Sequence, residues 1–247
     1  MNSYETFYAL HHQATPLIIA NAWNVKSAQV IEQSGYKAIA TSSGAISNSL
    51  GYADGEQMPF AELLYILQRI KASTTLPLSV DMEKGYTNDP AELTANIQRL
   101  ADIGVAGINL EDAQGEELYL KKLSTIKSYL TKNNLQLFIN ARTDGFLQKV
   151  DAPIETTVRT AKLYKDAGAD GLFVTGIADA DTIKEIASAI ELPLNVVATP
   201  KLASFKALTE CGVRRISMAV FLYKATYTKL ESLLKEVNAE QSLTPLF

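Results

Sequence analysis

Apolar and polar positions along this chain fall into a repeating unit: a short apolar run, a polar or glycine-containing turn, then a stretch with helical spacing. The apolar runs predict strands at 17–21, 38–42, 78–82, 106–111, 137–141, 171–175, 194–198 and 214–218. Helices are predicted after each, near 24–34, 59–73, 90–103, 115–132, 155–167, 179–190, 201–210 and 220–238. Gly35, Gly104, Gly168 and Gly212 stand between a helix and the next strand, where a left-handed residue stops a helix. Asp89-Pro90 fits an N-cap followed by proline at the first helical position. Eight strand–helix units without a Pro/Gly/Ser-rich linker predict one α/β domain over 1–247, a (β/α)8 TIM barrel. A doubly wound open sheet is the alternative, but no GxGxxG follows the first strand and composition shows no break.

Three predicted strands end in charged residues: Leu78-Ser79-Val80-Asp81-Met82-Glu83, Gly107-Ile108-Asn109-Leu110-Glu111-Asp112 and Leu137-Phe138-Ile139-Asn140-Ala141-Arg142. Strand alternation puts Ser79, Asp81 and Glu83 on one face, as it does Asn109 with Glu111 and Asn140 with Arg142. Val80, Leu110 and Ile139 then face the covering helices. In a barrel, chemistry concentrates where strands end and βα loops begin. The same end holds Asn21 to Asn24, Thr41 to Gly44, the loop Ser49 to Glu56, Thr175-Gly176 and, within strand 7, the candidate substrate-binding Asn195. Converging carboxylates need a cation or protons to neutralise them. Oxygen ligands without a nearby His or Cys favour Mg²⁺ or Mn²⁺ over zinc. Arg142 suits bidentate capture of a carboxylate or phosphonate, with an ion pair to Glu111 as the plainer role. Glu83 is the preferred general base, ahead of Tyr52, Lys84 and Tyr86.

A net charge of −4 and no basic run argue against nucleic acid or an anionic membrane as partner. One cysteine, Cys211, excludes an internal disulfide framework, and its place in an αβ turn makes it a buried structural residue. His11 and His12 precede strand 1 and are expected to pack at the surface or N-terminus. With no long apolar segment, a cytoplasmic location is expected.

The segments NAWN (21–24), ATSSGA (40–45), SLGYADGE (49–56), LSVDMEKGY (78–86), GINLEDA (107–113), INARTDGFL (139–147), GADGLFVTG (168–176) and GVRRIS (212–217) span nearly the whole chain. Together they resemble the isocitrate lyase/phosphoenolpyruvate mutase superfamily. The resemblance implies a (β/α)8 barrel whose last helix is exchanged between subunits of a homodimer or homotetramer. It also implies Mg²⁺-assisted chemistry on small 2-oxo or 2-hydroxy acids through an enolate-like intermediate. By the same resemblance Asp81 matches the direct metal ligand, while Asp54, Glu83 and Glu111 hold the metal directly or through its waters. The same resemblance implies that Ser43 and Gly44 grip the substrate carboxylate, that Trp23 lines that pocket, and that Arg142 binds substrate. The chain departs from the best-known members in having Asp-Met-Glu for Asp-x-Asp, and it lacks the Lys-Lys/Arg-Cys-Gly-His lid signature after strand 4. The missing lid speaks against isocitrate or methylisocitrate cleavage and against phosphoryl migration.

The expected function is therefore a Mg²⁺-dependent lyase cleaving or decarboxylating a small 2-oxo or 2-hydroxy acid. Phosphonate P–C chemistry is the first alternative, and a carboxylate-binding barrel with little catalysis the second. Val220, Leu222, Tyr223, Tyr227, Leu230, Leu233 and Leu234 spread over more than one helical face, which points to burial against a second subunit.

Overall fold

A computed structural model describes residues 1–247. Its strands are β1 (Leu17–Ala22), β2 (Ile39–Thr41), β3 (Leu78–Asp81), β4 (Gly107–Glu111), β5 (Phe138–Thr143), β6 (Gly171–Val174), β7 (Leu194–Val197) and β8 (Arg215–Ser217). Each pairs in parallel with the next, and β8 pairs with β1, closing the barrel. The open-sheet alternative is thereby excluded. Between the strands lie the expected helices Val25–Gln33, Phe60–Lys71, Pro90–Asp102, Glu116–Lys132, Pro153–Asp166, Ala180–Ala189 and Phe205–Glu210, with Phe221–Glu240 closing the series.

Alternation along the strands divides the interior into two regions. Val80, Leu110 and Ile139 point outward and pack with Leu67, Ile97 and Ile126 of the helical layer in one continuous apolar cluster. Inside the barrel, Leu17, Ile19, Ala38, Ala40, Ala106 and Phe138 form a smaller cluster that closes the base around Phe7. Two glycines make room for this plug. A Cβ on Gly107 would lie 2.9 Å from the Phe7 ring, and one on Gly171 would lie 2.9 Å from the Phe138 ring.

Phe7 comes from the helix Ser3–Leu10, which the strand–helix rhythm of the sequence does not predict. Asn2 and Glu5 form its capping box, each side chain bonding the other's backbone N–H. At its end His11 is buried and His12 exposed. The His11 ring stacks on Phe138 at 4.1 Å, and its Nδ1 hydrogen-bonds the Phe7 carbonyl at 2.8 Å. Burial, with help from the nearby Arg215 charge, pulls the His11 pKa down to about 3, so the imidazole is neutral.

Cys211 is buried at the end of Phe205–Glu210, on the side away from the strand ends. No helix is long and apolar enough to cross a membrane. The final helix, Phe221–Glu240, buries only Tyr223 on its own barrel, whereas Phe221, Tyr227, Leu230 and Leu234 remain exposed.

Candidate functional site

The C-terminal ends of the strands open into two adjoining hollows of about 260 and 480 Å³, which share Ser42, Asp81, Arg142 and Ala219. The narrower one reaches down to Asn21, Asn109 and Ser217, and the wider one opens over Ser43, Gly44, Tyr52 and Asp54. A separate hollow of about 410 Å³ at the other end of the barrel, near Leu10 and Tyr36, is lined by no carboxylate.

Asp81 is fixed by its neighbours. Thr41 Oγ1 accepts its backbone N–H at 3.0 Å, and Ser43 Oγ donates to its Oδ2 at 2.9 Å. Ser43 begins the short helix Ser43–Ser49, capped by Ser42, where the sequence suggests only a turn. Gly44 admits the neighbouring carboxylate: a Cβ there would stand 2.8 Å from Asp54 Oδ2. Ser43, Gly44, Asp54 and Asp81 are thus brought together.

Beyond Asp81 the chain leaves strand geometry, and Glu83 (φ 46°) and Tyr86 (φ 62°) both take the left-handed conformation. For non-glycine residues that conformation costs on the order of 1–3 kcal/mol each, and such strain collects at functional sites. Glu56 holds the turn by accepting the N–H groups of Lys84 at 2.9 Å and Tyr86 at 2.7 Å. Tyr86 in turn donates its hydroxyl to Glu83 at 3.0 Å. Burial, then the charges of Asp81, Asp54 and Glu56, push the buried Glu83 carboxyl up to about 7, against the pull of the Tyr86 bond.

Across the mouth, Arg142 donates to Glu111 at 2.7 Å and bidentately to Asp144 at 2.8 Å. The ion pair with Glu111 expected from sequence is present, and Asp144 adds a second clamp. Thr175 hydrogen-bonds Asp144 and so orients it. Burial drives the Glu111 carboxyl up to about 7; Arg142 pulls it down, and Asp81 and Asp144 add to the rise. Six carboxylates, of Asp54, Glu56, Asp81, Glu83, Glu111 and Asp144, therefore share the mouth with the cations of Arg142 and Lys84.

No three of these side chains close on one point as a metal cage. Mg²⁺ rarely uses such a cage; it is usually held by one or two carboxylates and keeps several waters. An excess of oxygen donors, two of them with carboxyls pushed to about 7 partly by neighbouring negative charge, fits such an ion.

Two expected substrate contacts lie elsewhere. Trp23 is buried against the final helix, edge-on to Tyr223 at 5.3 Å, and lines a different hollow with Val30 and Leu222. Tyr223 stands between the indole and the wider hollow, whose lining it joins. Asn195 lies buried below the cavity floor, accepting a hydrogen bond from Ser217 at 3.0 Å, and Ser217 lines the hollow above it. Asn195 is the second residue of β7, and Val197, two positions further along the same face, is the one that lines the hollow. Sequence reasoning missed Glu56 and Asp144. Asp144 carried a usable signal, since it continues the alternation of Asn140 and Arg142 along a strand that reaches Thr143.

The family model for phosphoenolpyruvate phosphomutase matches residues 7–238. The uncharacterized protein Rv1998c of Mycobacterium tuberculosis is 34% identical over 89% of this chain and 84% of its own. An oxaloacetate decarboxylase of Pseudomonas fluorescens is 28% identical over 89% of this chain and 81% of its own. A Burkholderia cenocepacia protein of known structure, provisionally named a phosphonomutase, superposes with a TM-score of 0.89 at 33% identity, covering 95% of this chain and 98% of that one.

Proposed function

The chain belongs to the phosphoenolpyruvate phosphomutase family, within the isocitrate lyase/phosphoenolpyruvate mutase superfamily; from that premise we propose that it is a Mg²⁺-dependent lyase of small 2-oxo or 2-hydroxy acids. It cleaves or decarboxylates a C–C bond next to the carboxylate through an enolate-like intermediate. The observation that carries this reading is the excess of carboxylates facing Arg142 across an open hollow. Lyase chemistry of this kind is also what the name of the P. fluorescens relative states.

Asp81 would hold the cation, with Asp54, Glu83 and Glu111 directly or through water. Bound there, Mg²⁺ or Mn²⁺ supplies positive charge to a developing enolate. The chain's own residues do the rest. Gly44 presents its N–H to a substrate carboxylate, and Ser43 would turn its hydroxyl from Asp81 to that carboxylate once a cation takes up the Asp81 charge. Arg142 exchanges part of its grip on Glu111 and Asp144 for the substrate's anionic group, at little cost in preorganisation because the clamp holds the guanidinium in place. Glu83 would take or return the proton, directly or through water, and Tyr86 holds the carboxyl in position.

P–C bond chemistry on a phosphonate is the second reading, favoured by the family model and by the name of the B. cenocepacia relative. Only Asp112 to Gly115 separate β4 from the next helix, too few residues to form a lid there. Water therefore reaches the mouth, which suits decarboxylation better than a step needing a dry site. A turnover panel of oxaloacetate, malate-type 2-hydroxy acids and phosphonopyruvate, with and without Mg²⁺, separates these readings. Mg²⁺-dependent turnover of a carbon acid supports the first, and turnover of phosphonopyruvate alone supports the second. Binding of oxalate or pyruvate with no turnover would reduce the protein to a carboxylate-binding barrel.

The exposed apolar face of Phe221–Glu240 supports assembly as a homodimer or homotetramer. Light scattering at micromolar concentration tests this, and a particle of 26.9 kDa, the mass of one chain, would refute it.

A further inference from the structure

Arg215 is the largest fully buried side chain in the molecule, and it lies inside the barrel without a carboxylate partner. Its guanidinium carbon sits 5.8 Å above the Phe7 ring, and no protein acceptor reaches Nη1 or Nη2. Its one protein hydrogen bond runs upward, from Nε to Ser217 Oγ at 3.3 Å. Ser217 donates its hydroxyl hydrogen bond to Asn195 Oδ1 and lines the floor of the narrow hollow together with Asn21, Asp81, Asn109 and Arg142.

A lone buried cation is costly, and an apolar side chain of similar length in such a place is commonly neutral or stabilising. Stability alone therefore gives no reason for an arginine here. The group stays charged at neutral pH: burial draws its pKa down only to about 9, and Asp81 opposes that fall. With no counter-ion beside it and low-dielectric walls around it, its field extends along the barrel axis to the floor of the mouth.

We propose that Arg215 is a positioning residue of the mouth, a concealed cation beneath the floor whose field, carried through the Ser217 hydroxyl, favours a doubly charged anionic ligand over a singly charged one. This inference rests on the anion-binding role proposed above for the mouth. Oxalate, a dianion, and oxamate, a monoanion of similar shape, are the probes. Calorimetric titration with Mg²⁺ present should show R215M binding oxalate about tenfold more weakly and oxamate only about threefold more weakly, as expected for loss of one charge within several ångströms. R215K should keep the oxalate-to-oxamate ratio within about twofold of wild type, because it keeps the charge. Mn²⁺ titrated without organic ligand and followed by paramagnetic resonance should bind R215M more tightly, since the metal ion loses a like-charged, repelling neighbour. R215Q replaces R215M if the methionine variant does not fold. Equal losses for both anions with unchanged Mn²⁺ affinity would make Arg215 a packing residue and overturn the inference alone. A wild-type chain that binds neither anion overturns the proposed function and this inference together.

Discussion

The two ends of the barrel solve opposite problems. At the base, Phe7, Phe138, Leu17 and Ile19 exclude water, small residues make room for the rings, His11 is neutral, and the one buried charge is Arg215 above the Phe7 ring. At the mouth, carboxylates crowd one another, a turn is held in left-handed geometry, and two carboxyls are pushed to about 7. The base is arranged to be stable, and the mouth is arranged to be charged. Folding energy and chemistry are thus separated along one axis, with Arg215 as the link between them, so mutations of the apolar base should leave the mouth largely untouched.

The largest expected effect is at the base. Phe138→Ala should lower stability by about 3–5 kcal/mol, as for other buried aromatics cut to alanine, while turnover per folded molecule changes little. Urea melts and assays on the same preparation check both halves, and a large loss of turnover without a loss of stability would break the separation. Arg142→Lys is the converse at the mouth. It should cost about 10²–10³-fold in kcat/KM, because an ammonium cannot reproduce the fork that grips Asp144 and an anionic ligand. Its melting temperature should stay near that of wild type.

The pH dependence of stability should run in opposite directions at the two ends. His11 has a folded pKa of about 3 against an ordinary 6.5. Its contribution is fully present above pH 6.5 and is lost as pH falls towards 3, because the unfolded chain takes up a proton that the fold refuses. At pH 5 that loss amounts to about 2 kcal/mol, and His11→Phe should flatten the acid limb of the stability curve. Glu83 is shifted the other way, up to about 7 from 4.5. Its effect is absent below pH 4.5, and stability is lost as pH rises through 7, because the fold must then hold an anion among anions. Glu83→Gln should therefore stabilise the cation-free protein at pH 8 by on the order of 1 kcal/mol, after allowing for solvent screening. Matching slopes in the two variants would contradict the assignment. Smallest of all is Trp23→Phe. With its ring turned to the final helix rather than to the hollow, turnover should change by less than about threefold.

Much of this architecture is legible in the chain because strand alternation and barrel closure are local rules repeated eight times. Asp81, Glu111 and Arg142 could be placed at the mouth from alternation and strand ends alone. The helix Ser3–Leu10 was not legible, since it precedes the first strand and its apolar residues plug a base that exists only after closure. Glu56 acts through the left-handed turn at 83–86, a conformation that no residue type there announces apart from Gly85. The contact of Trp23 with Tyr223 was not legible, because its partner belongs to a helix some two hundred residues later. Arg215 was visible only as half of an Arg-Arg pair, and a buried unpaired arginine is not what composition leads one to expect.

The central claim is that the mouth binds a small carboxylate with the help of a divalent cation held at Asp81. Calorimetric titration of oxalate into the whole chain, with Mg²⁺ and with chelator, tests it most directly. One site per chain, dependent on Mg²⁺ and lost in Asp81→Asn, is the predicted result. Absence of binding at millimolar oxalate in both buffers, or binding that Asp81→Asn leaves intact, would contradict it.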